Sequence, residues 1–255
     1  MSRKKNKNWQ APRGTYDILP ADQIYWEKVR RVVKDLAEDY GFSRIDTPII
    51  EDTEIFARGI GESSDIVEKQ MYSFKSKGGD NLSLRPEGTP GVVRAYLENG
   101  MIEAPHPVKL YYFGPMFRYE HPQAGRFRQF YQFGFETIGG QEPVLDIQII
   151  QLSLHILKSL GLKKMEVHIN SIGCRECRPA YRHALVDYYR SRKQKICPDC
   201  QQRLKINPLR LLDCKEEKCQ PIKAGAPLTL DYLCQPCHNH FKSVLEFLDE
   251  LEIPY

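Results

Sequence analysis

The chain has 255 residues, enough to bury a sizeable core as one large domain or two small ones. Its 41% apolar and 27% charged residues are an ordinary globular composition, and the net charge of +4 permits a polyanionic partner without requiring one. No apolar run approaches the ~20 residues that span a bilayer, and the N-terminus lacks the apolar segment of a signal peptide, so a cytoplasmic protein without membrane contact is expected.

Residues 1–10 are basic and without periodicity, as in a solvated tail, and PRGTYDILP then makes an irregular approach in which Arg13 is either a turn residue or a ligand contact. Asp22 to Tyr40 carries Tyr25, Val29, Val32, Val33, Leu36 and Tyr40 at helical spacing, with Gly41 placed as the stop. SRIDTPIIE reads as a strand. Pro48 cannot donate to a ladder, so that strand belongs at an edge, a bulge or an interface.

MYSF and LSLR flank a Gly-Gly-Asp turn and predict a hairpin. Arg85 and Glu87 sit near the end of its second strand, and Thr89 to Asn99 predicts a helix. Glu87, at a strand end beside a helix start, suits either an amine-bearing substrate or a helix cap.

Leu110 to Ile138 carries two runs rich in Tyr and Phe around the polar loop HPQAGRFRQ, which predicts a second and longer hairpin. Strand alternation puts Tyr112, Gly114, Met116, Arg118 and Glu120 on one face of its first strand and Phe130, Gln132, Gly134 and Glu136 on one face of its second. If these line up, one surface carries an arginine, carboxylates, an amide and an aromatic ring, with Gly114 and Gly134 leaving space for a ligand. A solvated face of ion pairs is the plainer alternative.

Val144 to Leu160 predicts a helix in which His155 is structural, and MEVHIN predicts a short strand with Val167 and Ile169 opposite His168. No G-x-G-x-x-G follows a strand and no βαβ alternation appears, which argues against a dinucleotide fold. The fold class expected is α+β, an antiparallel sheet flanked by helices.

All eight cysteines lie between Cys174 and Cys237. Cys174/Cys177, Cys197/Cys200 and Cys234/Cys237 form C-x-x-C pairs, and Cys214/Cys219 a C-x-x-x-x-C pair. Such pairs converge two thiolates on a tetrahedral Zn²⁺, and a closed set of four makes the metal structural. The favoured set is Cys197, Cys200, Cys234 and Cys237, whose knuckles carry Pro198 and Pro236, with a second from Cys174, Cys177, Cys214 and Cys219. His238 and His240 are further candidate ligands, and a disulfide framework, a redox C-x-x-C and free thiols are the rival readings. Arg175, Arg178, Arg182, Arg190, Arg192, Lys193 and Lys195 make this region basic, as either a phosphate-binding surface or a solvated helix face. A helix over Asn239 to Glu250 closes the chain.

APRGTYDILP, GESSDIVEKQMYSF, LRPEGTPG, the FRYE phrase with GRFRQFYQFGFE, and NPLRLLDCK, in that order, resemble the histidyl-tRNA synthetase family of class II aminoacyl-tRNA synthetases. The resemblance implies a catalytic core over 1–170, with the Pro48 strand in motif 1 and the long hairpin in motif 2, and a Cys-rich, mostly helical insertion domain over 171–255. It implies that histidine and ATP, with Mg²⁺, form histidyl-adenylate, which then acylates tRNA(His).

On that reading Arg118 and Glu120 are the catalytic pair. Arg118, Glu120, Arg126 and Phe130 hold ATP, while Glu87, Gly88, Thr89, Arg118, Gln132 and Glu136 surround the histidine, with the carboxylates on its α-ammonium. Gln123 and Arg126 face the tRNA, which the insertion domain also touches along the acceptor stem, and the protein is a homodimer. His121 stands where relatives often have arginine. The family's RGLDYY segment, motif 3 and the anticodon-binding domain would follow Tyr255, so histidine-dependent ATP–pyrophosphate exchange by these residues is expected to be weak or absent. The rival within the resemblance is a histidine-binding regulatory paralogue that controls a phosphoribosyltransferase, which should lack the ATP-handling residues and the cysteine-rich insertion.

Overall fold

The computed structural model describes residues 9–61, 64–121, 123 and 125–255, so nearly all of the basic tail expected over 1–10 lies outside the described residues. The chain divides into two compact units, one of residues 1–140 with 149–163 and one of 141–148 with 164–255.

In the first unit the elements run α1 (Gln23–Asp39), β1 (Ser43–Arg44), β2 (Ile50–Asp52), α2 (Thr53–Ile60), β3 (Tyr72–Lys75), β4 (Asn81–Leu84), α3 (Thr89–Glu98), β5 (Val108–Phe117) and β6 (Gln129–Ile138), followed by α4 (Pro143–Ser159), whose residues from 149 onward belong here. Helix α1 ends as its sequence predicts. Gly41 takes a φ of +75° and the Phe42 amide reaches back 2.8 Å to the Ala37 carbonyl, a closure that buries the Phe42 ring.

Two three-stranded sheets form, in the orders β1-β5-β6 and β2-β4-β3. The second is antiparallel throughout, but β1 runs parallel to β5, so the first is mixed rather than purely antiparallel. The expected single strand over SRIDTPIIE is two short ones, β1 and β2, separated around Pro48, and each is an edge strand of a different sheet. A residue without an amide hydrogen breaks the ladder where the chain changes partners. MEVHIN shows the alternating exposure of a strand, with Met165, Val167 and Ile169 half-buried. It has no ladder partner among the described residues and forms no strand.

Arg85 ties the two sheets together. Its amide donates to the Ile49 carbonyl at 2.9 Å and its carbonyl accepts from the Phe117 amide at 3.0 Å. Its buried guanidinium donates from Nε to the Pro115 carbonyl at 2.9 Å and from Nη1 to the Thr47 carbonyl at 2.8 Å. Charge-assisted bonds to carbonyls are what make so buried a cation tolerable.

The β5–β6 ladder is ten pairs long, from Val108↔Ile138 to Phe117↔Gln129. One face sends Tyr111, Phe113, Phe133 and Phe135 against α1 and α4, packing on Val33, Ala37, Phe42, Leu152 and Ile156. On the other face Leu110, Tyr112 and Met116 pack with Val92 of α3 and with Phe130.

The second unit is helical: α5 (Cys177–Arg190), α6 (Pro198–Ile206), α7 (Gln220–Ala224) and α8 (Gln235–Glu250), joined by 3₁₀ turns. Its core sets Tyr181, Leu185, Tyr189, Ile196, Leu211 and Ile222 around four buried cysteines.

The ring of Tyr112 lies against both Gly88 and Gly134, where an added Cβ would overlap it. Gly134→Ala is therefore expected to destabilise the fold by about 1–3 kcal/mol through overpacking, read as a lowered urea midpoint. An unchanged midpoint would show that the ring is free to move aside.

Candidate functional site

The register sets Leu110 opposite Glu136, Tyr112 opposite Gly134, Gly114 opposite Gln132 and Met116 opposite Phe130, so the residues expected on one face do share it. The alternation does not run on to Glu120. Strand β5 ends at Phe117, and the next residues form a tight reversal in which the Arg118 amide bonds the Arg128 carbonyl at 2.9 Å and the Glu120 amide bonds the Arg118 carbonyl at 2.8 Å. The space expected above the two glycines is also filled. A Cβ on Gly114 would strike the Arg85 guanidinium, and the Tyr112 ring occupies the space at Gly134 and at Gly88. Neither plug was foreseen, because Arg85 arrives from another sheet and Tyr112 was read only as one more aromatic on the face.

Around this floor lies a set of half-buried charges. The Arg118 side chain donates from Nε to the Pro86 carbonyl at 2.9 Å, lies 3.9 Å from the Glu87 carboxylate and stands 5.2 Å over the Phe130 ring. Thr89 donates from its hydroxyl to Glu136 Oε1 at 2.7 Å. Burial raises the Glu87 carboxyl above the ordinary carboxylate range against the pull of Arg118, and burial raises Glu136 likewise, with the Thr89 hydrogen bond opposing and Glu87 adding to it. Between the unfolded and folded values the native chain binds the extra protons, so both groups favour folding in their acid forms and oppose it once ionised. A cation set between them would reverse that penalty.

Gln132 adds a further uncompensated polar group to this surface. Its Oε1 is buried with no hydrogen bond, although a buried acceptor of this kind is nearly always satisfied. Glu87, Thr89, Arg118, Gln132 and Glu136 are thus brought onto one surface by β5, β6 and the start of α3, whereas Gly88 serves Tyr112 by leaving room for its ring.

Toward the loop, Glu120 and Arg126 approach to 3.5 Å, and Gln123 pairs with Arg126 across the turn. The base of this loop is held by the approach segment. The Arg128 amide donates to the Gly14 carbonyl at 2.7 Å, the Tyr16 and Phe127 rings lie 4.7 Å apart, and Arg128 stacks 4.0 Å over Tyr119. Arg13 sits in the turn closed by the Thr15 amide on Pro12.

The eight thiols gather as two groups of four, Cys174, Cys177, Cys234 and Cys237, and Cys197, Cys200, Cys214 and Cys219, each with all sulfurs within 4.8 Å of one another. The expected pairing of Cys197 and Cys200 with Cys234 and Cys237 is therefore wrong. Each proline-bearing knuckle takes a different partner, Cys214/Cys219 for the one and Cys174/Cys177 for the other. His240 is no ligand either, as its Nε2 meets Asp146 at 2.6 Å.

Sγ–Sγ separations of 3.4 to 3.7 Å in the first group, and of 3.9 and 4.0 Å in the second, rule out disulfides. They match the ~3.8 Å edge of a tetrahedron whose vertices lie about 2.3 Å from a central zinc. Backbone amides donate to sulfur in both, from Cys174 to Cys177, from Glu176 to Cys174, from Cys197 to Cys219 and from Cys200 to Cys197. Beside the second group the Tyr189 hydroxyl is buried without a partner, and burial pushes its phenol up to about 12, with Cys200 adding to the effect.

A cavity of about 1150 Å³ lies within the second unit, and Arg175, Arg178, Arg182, Arg190, Lys193 and Lys205 line it.

Comparison with known proteins bears on the family and fold of the chain. A family model described as Histidyl-tRNA synthetase matches residues 14–176. The chain is 52% identical over 244 residues to the histidine--tRNA ligase of Desulforudis audaxviator, covering 96% of this chain and 58% of that protein. It is also 52% identical over 246 residues to that of Halothermothrix orenii, covering 96% and 59%. The crystal structure of apo Staphylococcus aureus histidyl-tRNA synthetase superposes with a TM-score of 0.76 at 39% identity, over 97% of this chain and 56% of that one. A structure titled as an ATP phosphoribosyltransferase regulatory subunit/histidyl-tRNA synthetase from Bacillus halodurans has a TM-score of 0.66 at 19% identity and shares the fold alone. The chain spans under three-fifths of the length of the curated relatives it matches, and by the matched model and the identity across nearly all of its own length it belongs to the histidyl-tRNA synthetase family.

Proposed function

We propose that this chain carries the histidine- and ATP-facing surface of a histidine–tRNA ligase. The observation that carries the reading is the joint one at Gln132, Glu87 and Glu136: an unpartnered buried acceptor and two carboxyls that burial raises, on the same surface as Arg118.

On this reading the α-ammonium of histidine enters between the carboxylates, and Gln132 and Thr89 fix its orientation. The histidine carboxylate attacks the α-phosphorus of ATP, which arrives as its Mg²⁺ complex, and the bond to pyrophosphate breaks. Negative charge grows on the phosphate oxygens, so a fixed cation matters more than an acid or base. Arg118, held by the Pro86 carbonyl and the Phe130 face, would supply it. Glu120 accepts from the adenine amino group, Phe130 offers the ring face that Arg118 leaves open, and Arg126 turns from Glu120 to the distal phosphates.

Each four-thiol group fits a structural Zn²⁺ that compensates for a small helical unit with little apolar core. The basic cavity is the surface we assign to the tRNA acceptor stem, with Gln123 and Arg126 meeting its end. A cytoplasmic homodimer is the assembly in keeping with the family. The regulatory-paralogue reading is disfavoured because Arg118, Glu120, Arg126 and both thiol groups are present.

Arg118→Ala should weaken binding of a non-hydrolysable histidyl-adenylate analogue at least about tenfold, as expected for a charged hydrogen bond worth about 1.5–3 kcal/mol, in isothermal titration. Binding equal to the unmodified chain would remove Arg118 from the site. Histidine itself should bind more weakly as pH falls into the raised range of Glu87 and Glu136, with proton release on binding there, because the ammonium selects the ionised carboxylates. Glu136→Gln should flatten that profile, and a profile unchanged by the substitution would rule out its role.

A further inference from the structure

The two thiol groups differ in a way their common ligand set hides. Cys197, Cys200, Cys214 and Cys219 are between 0% and 9% exposed and are part of the second unit's main core. They close over a short stretch, Cys197 and Cys214 standing 17 positions apart in the chain. Tyr189, 1% exposed, keeps its hydroxyl unpartnered among them, a donor available to a thiolate. In the other group only Cys177 is buried, while Cys174, Cys234 and Cys237 are half-buried. That group joins positions 60 residues apart, Cys174 to Cys234, and sits where α5 begins at Cys177 and α8 is capped by Cys234.

A thiolate reacts with an electrophile only where the reagent touches sulfur, so exposure decides between two sets of equal chemistry. Building on the zinc reading, we propose that the clasp Cys174, Cys177, Cys234 and Cys237 is a hydroperoxide-sensitive modification site, whereas Cys197, Cys200, Cys214 and Cys219 hold their metal permanently. The reaction needs only the oxidant and two thiolates. One sulfur attacks a peroxide oxygen, the O–O bond breaks, and hydroxide leaves, giving a sulfenic acid. A second thiolate attacks that sulfur and displaces another hydroxide, giving a disulfide. Two electrons pass from sulfur to peroxide, and the metal loses two of its four ligands. Cys174 has Cys177 at 3.4 Å and Cys234 at 3.7 Å as resolving partners. Arg175 and Arg178 stand on this clasp and line the basic cavity, and the Arg178 amide bonds the Cys174 carbonyl at 3.1 Å, so opening the clasp acts directly on that surface.

The test uses the chain purified with zinc under reducing conditions. Zinc is counted by elemental mass spectrometry, hydrogen peroxide is added with a colorimetric zinc indicator, and samples are alkylated and mapped by peptide mass spectrometry. The expected result is two zinc ions per chain. One is released in step with disulfides confined to Cys174, Cys177, Cys234 and Cys237, while the other four cysteines stay reduced and metal-bound until denaturant is added. Release of both ions together, or oxidation beginning at Cys197, Cys200, Cys214 or Cys219, would overturn the proposal while leaving zinc binding intact. A chain holding no zinc, with all eight thiols alkylated alike, would instead remove the zinc reading on which the proposal rests.

Discussion

Ten consecutive antiparallel pairs between β5 and β6 decide which side chains stand on the face we assign to histidine and ATP. A slip of one residue would turn Gln132 and Glu136 into the aromatic core against α1 and α4 and bring Phe133 and Phe135 to the open face. The register is held from both sides. Phe113, Phe133 and Phe135 are fixed behind the sheet, and Tyr112 is locked in front between Gly88 and Gly134. Arg85, next after β4, is bonded to the end of β5 through two hydrogen bonds and to Thr47 and Ile49 through two more, which fixes where the chain leaves the ladder and so where Arg118 stands.

The open face pays for its chemistry in desolvation. Glu87 and Glu136 are both raised by burial, and neither has a full ionic partner: Arg118 lies 3.9 Å from Glu87, and Thr89 offers Glu136 one hydrogen bond. Arrangements of this kind persist at binding sites because a ligand completes them. The second unit meets the opposite difficulty, too little apolar material, and uses sulfur. Its core is assembled from tyrosines, a few aliphatic residues and four thiols that approach within tetrahedral reach.

Much of this was legible in the residues. The helices over 23–39, 89–98 and 143–159 and both hairpins follow from periodicity and turn chemistry, and the shared face of Gln132 and Glu136 follows from strand alternation. What was not legible is non-local. Which sheet each half of SRIDTPIIE joins depends on partners far along the chain, as does the lack of a partner for MEVHIN. The knuckles at Cys197 and Cys234 look alike because both carry proline at a helix start, yet a helix start says nothing about which other pair lies across from it. The glycines on this face were read as space, but the Arg85 guanidinium reaches into it from another sheet, and the Tyr112 ring, on the face alternation gives it, leans across to Gly134 and Gly88, a lean that alternation does not specify.

A crystal structure of the chain with a non-hydrolysable histidyl-adenylate analogue tests the central claim most directly. The account predicts the phosphate-mimicking group on the Arg118 guanidinium, the amino group between Glu87 and Glu136, and a hydrogen bond to Gln132 Oε1, which now has none. An analogue bound elsewhere, or one seated on this face with Gln132 Oε1 still unpartnered, would contradict it.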